Sequence, residues 1–400
     1  MNSRIPTLDS MPPGARRRWP VVATFTISLI AGGGAGAAAQ TRDRAPENAP
    51  AAIARGWTAL AAARYDDAVR AATAALKIDP RDHHATGLLV AAEMGAKRPI
   101  SALDGYERWQ ATRRIEDVFL LEDIARGVLG ELSGSNDPQL QSEALLILAR
   151  HGAGPARAAL SAAGSSVAAV TARARLGDPT AVDELRQLAT SDTVREKTAI
   201  VKALGEAGAA NAAAIAALLG DASPMTRAAA AESLGELGDK TAIPTIQKLL
   251  GDNDPFVRST AAVALAKLGD PSANDLVMSM MSNDAAEVRL FAAEAYRNRP
   301  AADWADAVRP SLTDKNGLNR LIAANLLAGV DPEAARTTLV GAIADANPVV
   351  RMEAASILVR RGLADAAELR KLLRDSDAWV RLRGSEGLLR LAAGSATARP

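Results

Sequence analysis

The chain has 400 residues, of which 48% are hydrophobic and 3% aromatic, with 47 basic and 46 acidic side chains. This balance of charge gives no overall field that attracts nucleic acid, whose binding depends on many phosphate contacts. The sequence contains no cysteine, which excludes disulfides, thiol catalysis and thiolate zinc sites.

The first predicted element is an N-terminal secretory signal. Three arginines at 16–18 precede an uncharged stretch at 19–40, which contains a short apolar run and ends in small residues. A positively charged segment, an apolar segment and small residues before a cleavage site are typical of a signal peptide. We therefore predict a signal peptide at residues 1–39, cleaved after Ala39, and a periplasmic or secreted protein.

An uncleaved membrane anchor is the open alternative. Residues 21–39 are near the lower length limit for a helix that crosses a bilayer, but their last eight are only glycine and alanine, which insert poorly. After cleavage we expect no integral membrane span. Removing residues 1–39 takes away four of the 47 basic and one of the 46 acidic side chains, which leaves a net charge of about −2.

A helical pattern occupies residues 49–132, after a linker at 40–48. The residues that carry its family resemblance are Gly56, Tyr-Asp-Asp-Ala at 65–68, Ala-Leu at 75–76 and Asp-Pro at 79–80. They resemble a tetratricopeptide repeat, and 34 residues after Ala68, at that family's period, stands Ala102. The resemblance implies antiparallel helix pairs, and apolar spacing predicts a further capping helix at about 116–132. This part is either a cap for the array that follows or an independent docking module.

From Arg227 onward the sequence repeats about every 31 residues. An arginine marks the same position in six units: Arg227, Arg258, Arg289, Arg320, Arg351 and Arg381. Four residues after each arginine stands a small side chain, and seven residues after it a large one. A unit of this length cannot bury its own apolar face, so the units must stack on one another.

Each unit predicts two helices. A short polar residue stands four positions before most of the arginines, with proline next at Pro224, Pro255 and Pro348, which is typical of a helix start. Glycines at 238, 269 and 362 predict the end of that helix, and a second helix follows, as at 242–250. The sequence therefore predicts an all-α fold, an α-solenoid.

Three segments carry a second family resemblance. They are Ser-Pro-Met-Thr-Arg at 223–227, Asp-Pro-Phe-Val-Arg at 254–258 and Asn-Pro-Val-Val-Arg at 347–351. They resemble the short HEAT repeat of the phycobilisome-lyase type, which implies a right-handed superhelix of stacked helical hairpins. Counting back, Lys197, Ser166 and Gln141 continue the pattern with the arginine lost. We predict a junction at 133–137, the HEAT solenoid at 138–393 and a tail at 394–400.

The arginine row has two interpretations. A regular cationic row could bind phosphate or acidic peptides. However, aspartates stand six residues before five of the six arginines: Asp221, Asp252, Asp314, Asp345 and Asp375. The HEAT resemblance implies that such aspartates and arginines bond within and between repeats, so we interpret them as a structural ladder.

No residue pattern predicts catalysis. The three histidines are His83, His84 and His151, whereas the metal-dependent hydroxylases built on HEAT repeats use several His-Glu pairs as iron ligands. We therefore expect no metal, no cofactor and no catalytic residue.

Partner binding is the remaining function. Stacked repeats form a concave wall, usually lined by second helices, among which residues 274–281 are rich in methionine. Our hypothesis is an exported, non-catalytic scaffold that binds a protein or peptide in the cell envelope. The alternatives are an accessory subunit or chaperone of an envelope enzyme complex, and a lyase-like HEAT enzyme.

Overall fold

Helices account for every regular element that the computed structural model describes, in residues 48–191, 195–297 and 299–397. The predicted signal at 1–39 and nearly all of the predicted linker lie outside the described residues. Five helices come first: α1 (Ala49–Ala61), α2 (Tyr65–Ile78), α3 (His83–Gly95), α4 (Pro99–Arg113) and α5 (Val118–Leu132).

The repeat units follow, each made of a first and a second helix. In chain order the helices are α6 (Pro138–Arg150), α7 (Gly154–Ala162), α8 (Val167–Arg175), α9 (Pro179–Ala189), α10 (Lys197–Glu206), α11 (Ala212–Ala216), α12 (Pro224–Leu237), α13 (Ile243–Lys248), α14 (Pro255–Leu268), α15 (Asn274–Met281), α16 (Ala286–Tyr296), α17 (Ala305–Val308), α18 (Gly317–Leu327), α19 (Pro332–Ala342), α20 (Pro348–Arg361), α21 (Ala366–Leu372) and α22 (Ala378–Thr397). From α6 onward, even-numbered helices are first helices and odd-numbered helices are second helices. In the described ranges, no helix is long and apolar enough to cross a membrane.

Most first helices begin at a predicted polar cap, although Ser223 makes no capping bond to α12. The Asp254 carboxylate accepts hydrogen bonds from the backbone N–H groups of Phe256 and Val257 at 2.8 and 3.3 Å, just before Pro255 opens α14. These bonds satisfy donors that have no partner inside the helix. At the other end, Gly238, Gly269 and Gly362 follow their helices with φ of 69°, 81° and 66°, a left-handed conformation that glycine adopts without a Cβ clash.

The predicted register of the repeat is wrong at one early unit. Ser166, which we took as an equivalent of the arginines, is instead the N-cap of α8, and its hydroxyl accepts from the N–H of Ala169 at 3.3 Å. The equivalent of the arginine lies four residues later, at the fully buried Val170. This unit is shorter than the 31-residue period, so counting back by a constant step passes the arginine-equivalent position and lands on the N-cap, four residues too early.

Two side chains of each first helix form the contact between units. The small residues four positions after the arginines are all buried: Ala231, Ala262, Ala293, Ala324, Ala355 and Ser385. The large residues seven positions after them are buried as well: Leu234, Leu265, Tyr296, Leu327, Leu358 and Leu388. Positions three apart share a helix face, so one lets the neighbouring helix approach while the other fills the space beside it. A continuous apolar core results, running from α8 to α18.

The first helices form a closed ring. Each packs on the next from α6 to α22, and α22 packs on α5, which in turn packs on α6. Second helices pack mainly on first helices rather than on one another. Because a ring has its shortest circumference inside, the helices that touch all the way around form the inner layer. The second helices therefore form the outer layer.

The seam of the ring joins the N-terminal helices to the last repeats. Apolar side chains of α5 and α22, including Leu121, Ile124 and Leu388, belong to one buried cluster. This cluster also contains Leu140 of α6. Helix α5 is thus shared by both ends of the array, and its side chains cover apolar surface at each end.

Ion pairs reinforce the seam on its outer side. Arg370 of α21 donates to Glu107 of α4 at 2.7 Å and to Glu116 at 3.2 Å. Arg374, which follows α21, donates to the same Glu107 at 2.7 Å and also pairs with Asp104. Two arginines from one end of the described chain are therefore held by three carboxylates from the other.

Candidate partner-binding surface

The arginine row lies in the first turns of the first helices, and its side chains bond to the loops that precede them. In each of six units the Nη1 group of the arginine donates to the backbone carbonyls six and five residues before it, at 2.7–3.3 Å. These carbonyls would otherwise lie at a turn without a helical partner. Each arginine therefore fixes the turn that introduces its own helix.

The other side of the guanidinium reaches the next unit. Arg227 donates to both carboxylate oxygens of Asp252 at 2.9 and 2.8 Å, and Arg351 to both oxygens of Asp375 at 2.7 Å. A single bond of 3.0 Å joins Arg320 to Asp345. In the α10 unit, Lys197 replaces the arginine and donates to Asp221 of the next unit at 2.7 Å.

These bonds change the acidity of the partners. The bond from Arg227 holds the pKa of Asp252 below its usual value, and the same bond raises the pKa of Arg227. Burial alone would raise the pKa of Asp375, but the bond from Arg351 leaves it lowered. These carboxylates stay ionised near neutral pH, and the stability that they contribute is lost only as pH falls through their lowered pKa. Their contacts are those of a structural ladder, since protein groups already occupy the arginine donors.

Two neighbouring junctions lack this ion pair. The repeat position that pairs with the arginine in the tied units is aspartate, but in the unit after Arg258 it is Asn283. In the described residues Arg258 makes no ion pair to the next unit. Arg289 instead points its Nε to the carbonyl of Ala307, at 3.4 Å. The α16 unit is also irregular, because Arg297 directly follows its first helix, at the position where α10 and α12 carry Gly205 and Gly235. The junctions α14–α16 and α16–α18 are therefore not tied by the ladder.

A groove lies on the inner wall at these untied junctions. It has a volume of about 430 Å³ and runs along α14 from Phe256 to Lys267, about 16 Å at 1.5 Å per residue. Phe256 stacks on Phe291 of α16 with ring centroids 6.2 Å apart and an interplanar angle of 25°. Val263 of α14 and Ile322 of α18 add to its largely apolar lining.

Phe256 also belongs to a row of exposed apolar side chains. Two residues before four of the six arginines stand Met225, Phe256, Leu318 and Val349, which are 55%, 47%, 39% and 51% exposed. Partly buried Trp379 ends the row. Sequence reasoning missed this row, although it recurs with the same 31-residue period as the arginines. The exposure of these residues follows from their place on the inner surface of the ring.

Charged side chains border the groove. The Lys267 ammonium lies between Glu236 and Glu294, 3.9 Å from the Glu294 carboxylate. Burial raises the pKa of Glu294, although Arg297 opposes the effect by donating to its carboxylate at 2.7 Å. Glu287 accepts from the side-chain amide of Asn319 at 2.8 Å. The groove therefore combines an apolar floor with fixed carboxylates.

The predicted methionine-rich surface is divided. In α15, Met280 and Met281 are buried, whereas Leu276 and Met278 are 42% and 51% exposed. Met280 lines the groove from below, and the exposed pair lies in the outer layer. The groove itself is formed chiefly by first helices, whereas we expected second helices to line the concave wall.

The paired histidines are parts of the N-terminal helices. His83 begins α3, its Nε2 lies 2.7 Å from an Asp117 oxygen, and its ring lies 5.5 Å from that of Trp109. Trp109 donates from its indole N–H to the carbonyl of Arg81 at 3.2 Å. In the described part of the chain, no three histidine, aspartate or glutamate side chains are grouped as metal ligands would be.

Comparison with known proteins agrees with this architecture. Residues 211–297 and 305–389 match the family model described as HEAT repeats. The fold is thus an all-α solenoid with HEAT repeats. No curated protein matches the chain.

Two solved structures illustrate the likeness of fold. Human deoxyhypusine hydroxylase in complex with glycerol is 22% identical, with 69% of this chain and 98% of that chain covered and a TM-score of 0.34. The complex of CpcE and CpcF of phycocyanin lyase from Nostoc sp. PCC7120 is 19% identical, with coverage of 68% and 94% and a TM-score of 0.37. These values concern the fold alone.

Proposed function

We propose that the protein is a non-catalytic scaffold that binds a segment of another protein or a peptide on the inner wall of its ring. The observation that carries the proposal is the apolar groove at the untied junctions, with Phe256 and Ile322 exposed in it. Exposed aromatic and aliphatic side chains grouped in a concave site are typical of binding surfaces rather than of solvated walls.

The dimensions of the ring support a polypeptide ligand. Ten inner helices surround the opening, and at interaxial distances of 8–10 Å they leave a space on the order of 20 Å across. One helix of about 10–12 Å diameter, or an extended strand, fits such a space. The groove is long and open toward this space. Its shape therefore suits a row of side chains along a bound polypeptide better than a compact small molecule.

The exported location is part of the proposal. It rests on the three arginines at 16–18 and the apolar stretch at 19–40, which are typical of a secretory signal. Fractionation of cells followed by N-terminal sequencing tests it: we expect an envelope or secreted product beginning after Ala39. A cytoplasmic product that retains Met1 would overturn it.

Affinity capture from envelope extracts tests the scaffold function. The double variant Phe256→Ala, Phe291→Ala removes the aromatic pair of the groove, and Val349→Ala is the control because Val349 is equally exposed at the same repeat position. We expect a protein that is captured by the wild type and the control but lost with the double variant. Equal capture by all three, or no captured protein, would contradict the proposal. A captured enzyme would make the chain an accessory subunit.

A further inference from the structure

The groove carries a charge pattern that specifies its ligand further. We infer that the bound segment is basic as well as apolar, with a bulky apolar side chain flanked by lysine or arginine; this inference rests on the proposed function.

The main observation behind this inference is that two neighbouring residues, Glu287 and Asn319, both differ from the residue types that the repeat has at their positions. In the row Met225, Phe256, Leu318 and Val349, the α16 member is Glu287, the one carboxylate. One residue before the arginines, four of the six units have valine, but α18 has Asn319, which is only 3% exposed. Its amide donates to Glu287 at 2.8 Å. A buried amide costs free energy unless it is bonded, and here its bond holds a carboxylate at the mouth of the groove.

Glu287 remains a carboxylate without a cation. The bond from Asn319 holds its pKa below the usual value, so the group is ionised at neutral pH. In the described residues no lysine or arginine forms an ion pair with it. Asn319 donates a hydrogen bond but brings no charge, and the negative charge of Glu287 therefore stays available to a ligand.

A second such carboxylate stands on the opposite side of α14. Glu232 of α12 lines the groove and is exposed, and within the described part of the chain it has no ion-pair partner. By contrast, Glu294 is already paired with Arg297 at 2.7 Å, and Lys267 with Glu236. The uncompensated charge of the groove is therefore negative and comes from Glu232 of α12 and Glu287 of α16, the helices on the two sides of α14.

This arrangement favours one kind of segment. An aliphatic or aromatic side chain fits over Phe256, Phe291 and Ile322, where burial removes apolar surface from water. Lysine or arginine residues beside it reach the two carboxylates, and an arginine can also stack on the exposed phenylalanine ring. An acidic segment would be repelled, because its carboxylates would face Glu232 and Glu287.

Selection of peptides from a random displayed library on the purified protein tests the inference. We expect enriched peptides that combine a bulky apolar residue with lysine or arginine. Synthetic versions should bind about tenfold more weakly to the variant Glu232→Gln, Glu287→Gln at low salt, a loss that shrinks at 0.5 M salt because salt screens exposed charges. Glu353→Gln, on the same inner layer but outside the groove, should leave the affinity unchanged.

The outcomes separate this inference from the proposed function. Enrichment of neutral or acidic peptides, no enrichment, or an affinity unchanged by Glu232→Gln, Glu287→Gln overturns the inference. If such peptides still lose binding with Phe256→Ala, Phe291→Ala, the groove remains a binding site and only the charge preference falls. If neither double variant weakens binding, the groove is not the site and the proposed function falls as well.

Discussion

The junctions on the two sides of α14 are built from the same repeat but differ in what joins them. Toward α12, Arg227 holds Asp252 with two bonds, and α12 comes so close that a Cβ on Gly235 would lie 3.0 Å from the Cα of Ala264. Toward α16, no arginine–aspartate bond of the ladder joins the described residues, and the Lys267 ammonium lies 3.9 Å from the Glu294 carboxylate. Phe256 and Phe291 line a groove at this junction. The fold survives the loss of one carboxylate, and the opened junction provides a surface.

The largest expected effect comes from breaking a tied junction. Arg227→Met removes two bonds to Asp252 and leaves that 10%-exposed carboxylate unpaired, so we expect a loss of about 3 kcal/mol in the free energy of unfolding. Arg258→Met removes only bonds to its own loop and should cost about 1 kcal/mol. Urea unfolding followed by circular dichroism compares the two variants. Equal losses would mean that the ladder does not distinguish the junctions.

The seam offers a tie of a different kind. Arg370 is 14% exposed and bonds two carboxylates of the N-terminal helices, so Arg370→Met should cost about 2 kcal/mol. Arg360 pairs with Glu353 on the surface and is 53% exposed, and Arg360→Met should cost less than about 0.5 kcal/mol. The same urea titrations measure both values. A seam variant no worse than the surface control would mean that these pairs do not hold the ring closed.

Restoring the missing carboxylate should have a smaller effect. Asn283→Asp places an aspartate opposite Arg258, as in the tied units, and we expect a gain of about 0.5–1 kcal/mol. The gain should vanish when Arg258→Met is combined with it, because the new carboxylate then has no partner. Urea unfolding of the double-mutant cycle measures the coupling. An equal gain without Arg258 would rule out a restored ladder bond.

The smallest effect is a pH dependence on the α5 side of the ring. Desolvation by the surrounding helices, with a contribution from Glu122, raises the pKa of Asp123 to about 6, and solvent screens part of the effect because the side chain is exposed. Ionisation then opposes folding, with a penalty that grows as pH rises from about 4 to 6. Asp123→Asn should raise Tm by less than about 1 °C at pH 7.5 and leave it unchanged near pH 4. Asp306→Asn, at a 97%-exposed position, controls for the loss of one charge, and a gain equal at both pH values would contradict the assignment.

Local chemistry explains how much of this fold could be predicted. Caps such as Asp254 and terminal glycines such as Gly269 act within a few residues of the chain. The sequence pattern therefore predicted where the helices between them begin and end. Ring closure depends on contacts between residues more than 250 positions apart, such as Arg370 with Glu107, and no periodic pattern reports them. The groove was missed because its aromatic rings became a pair only through packing between units.

One measurement tests the central claim that the untied junction is the binding site. Benzoylphenylalanine replaces either Phe256 or Val349, which occupy the same repeat position with 47% and 51% exposure, and the cells are irradiated. We predict a covalent adduct with a partner protein from position 256 and little or none from position 349. Equal yields from both positions, or an adduct from position 349 alone, would contradict the account.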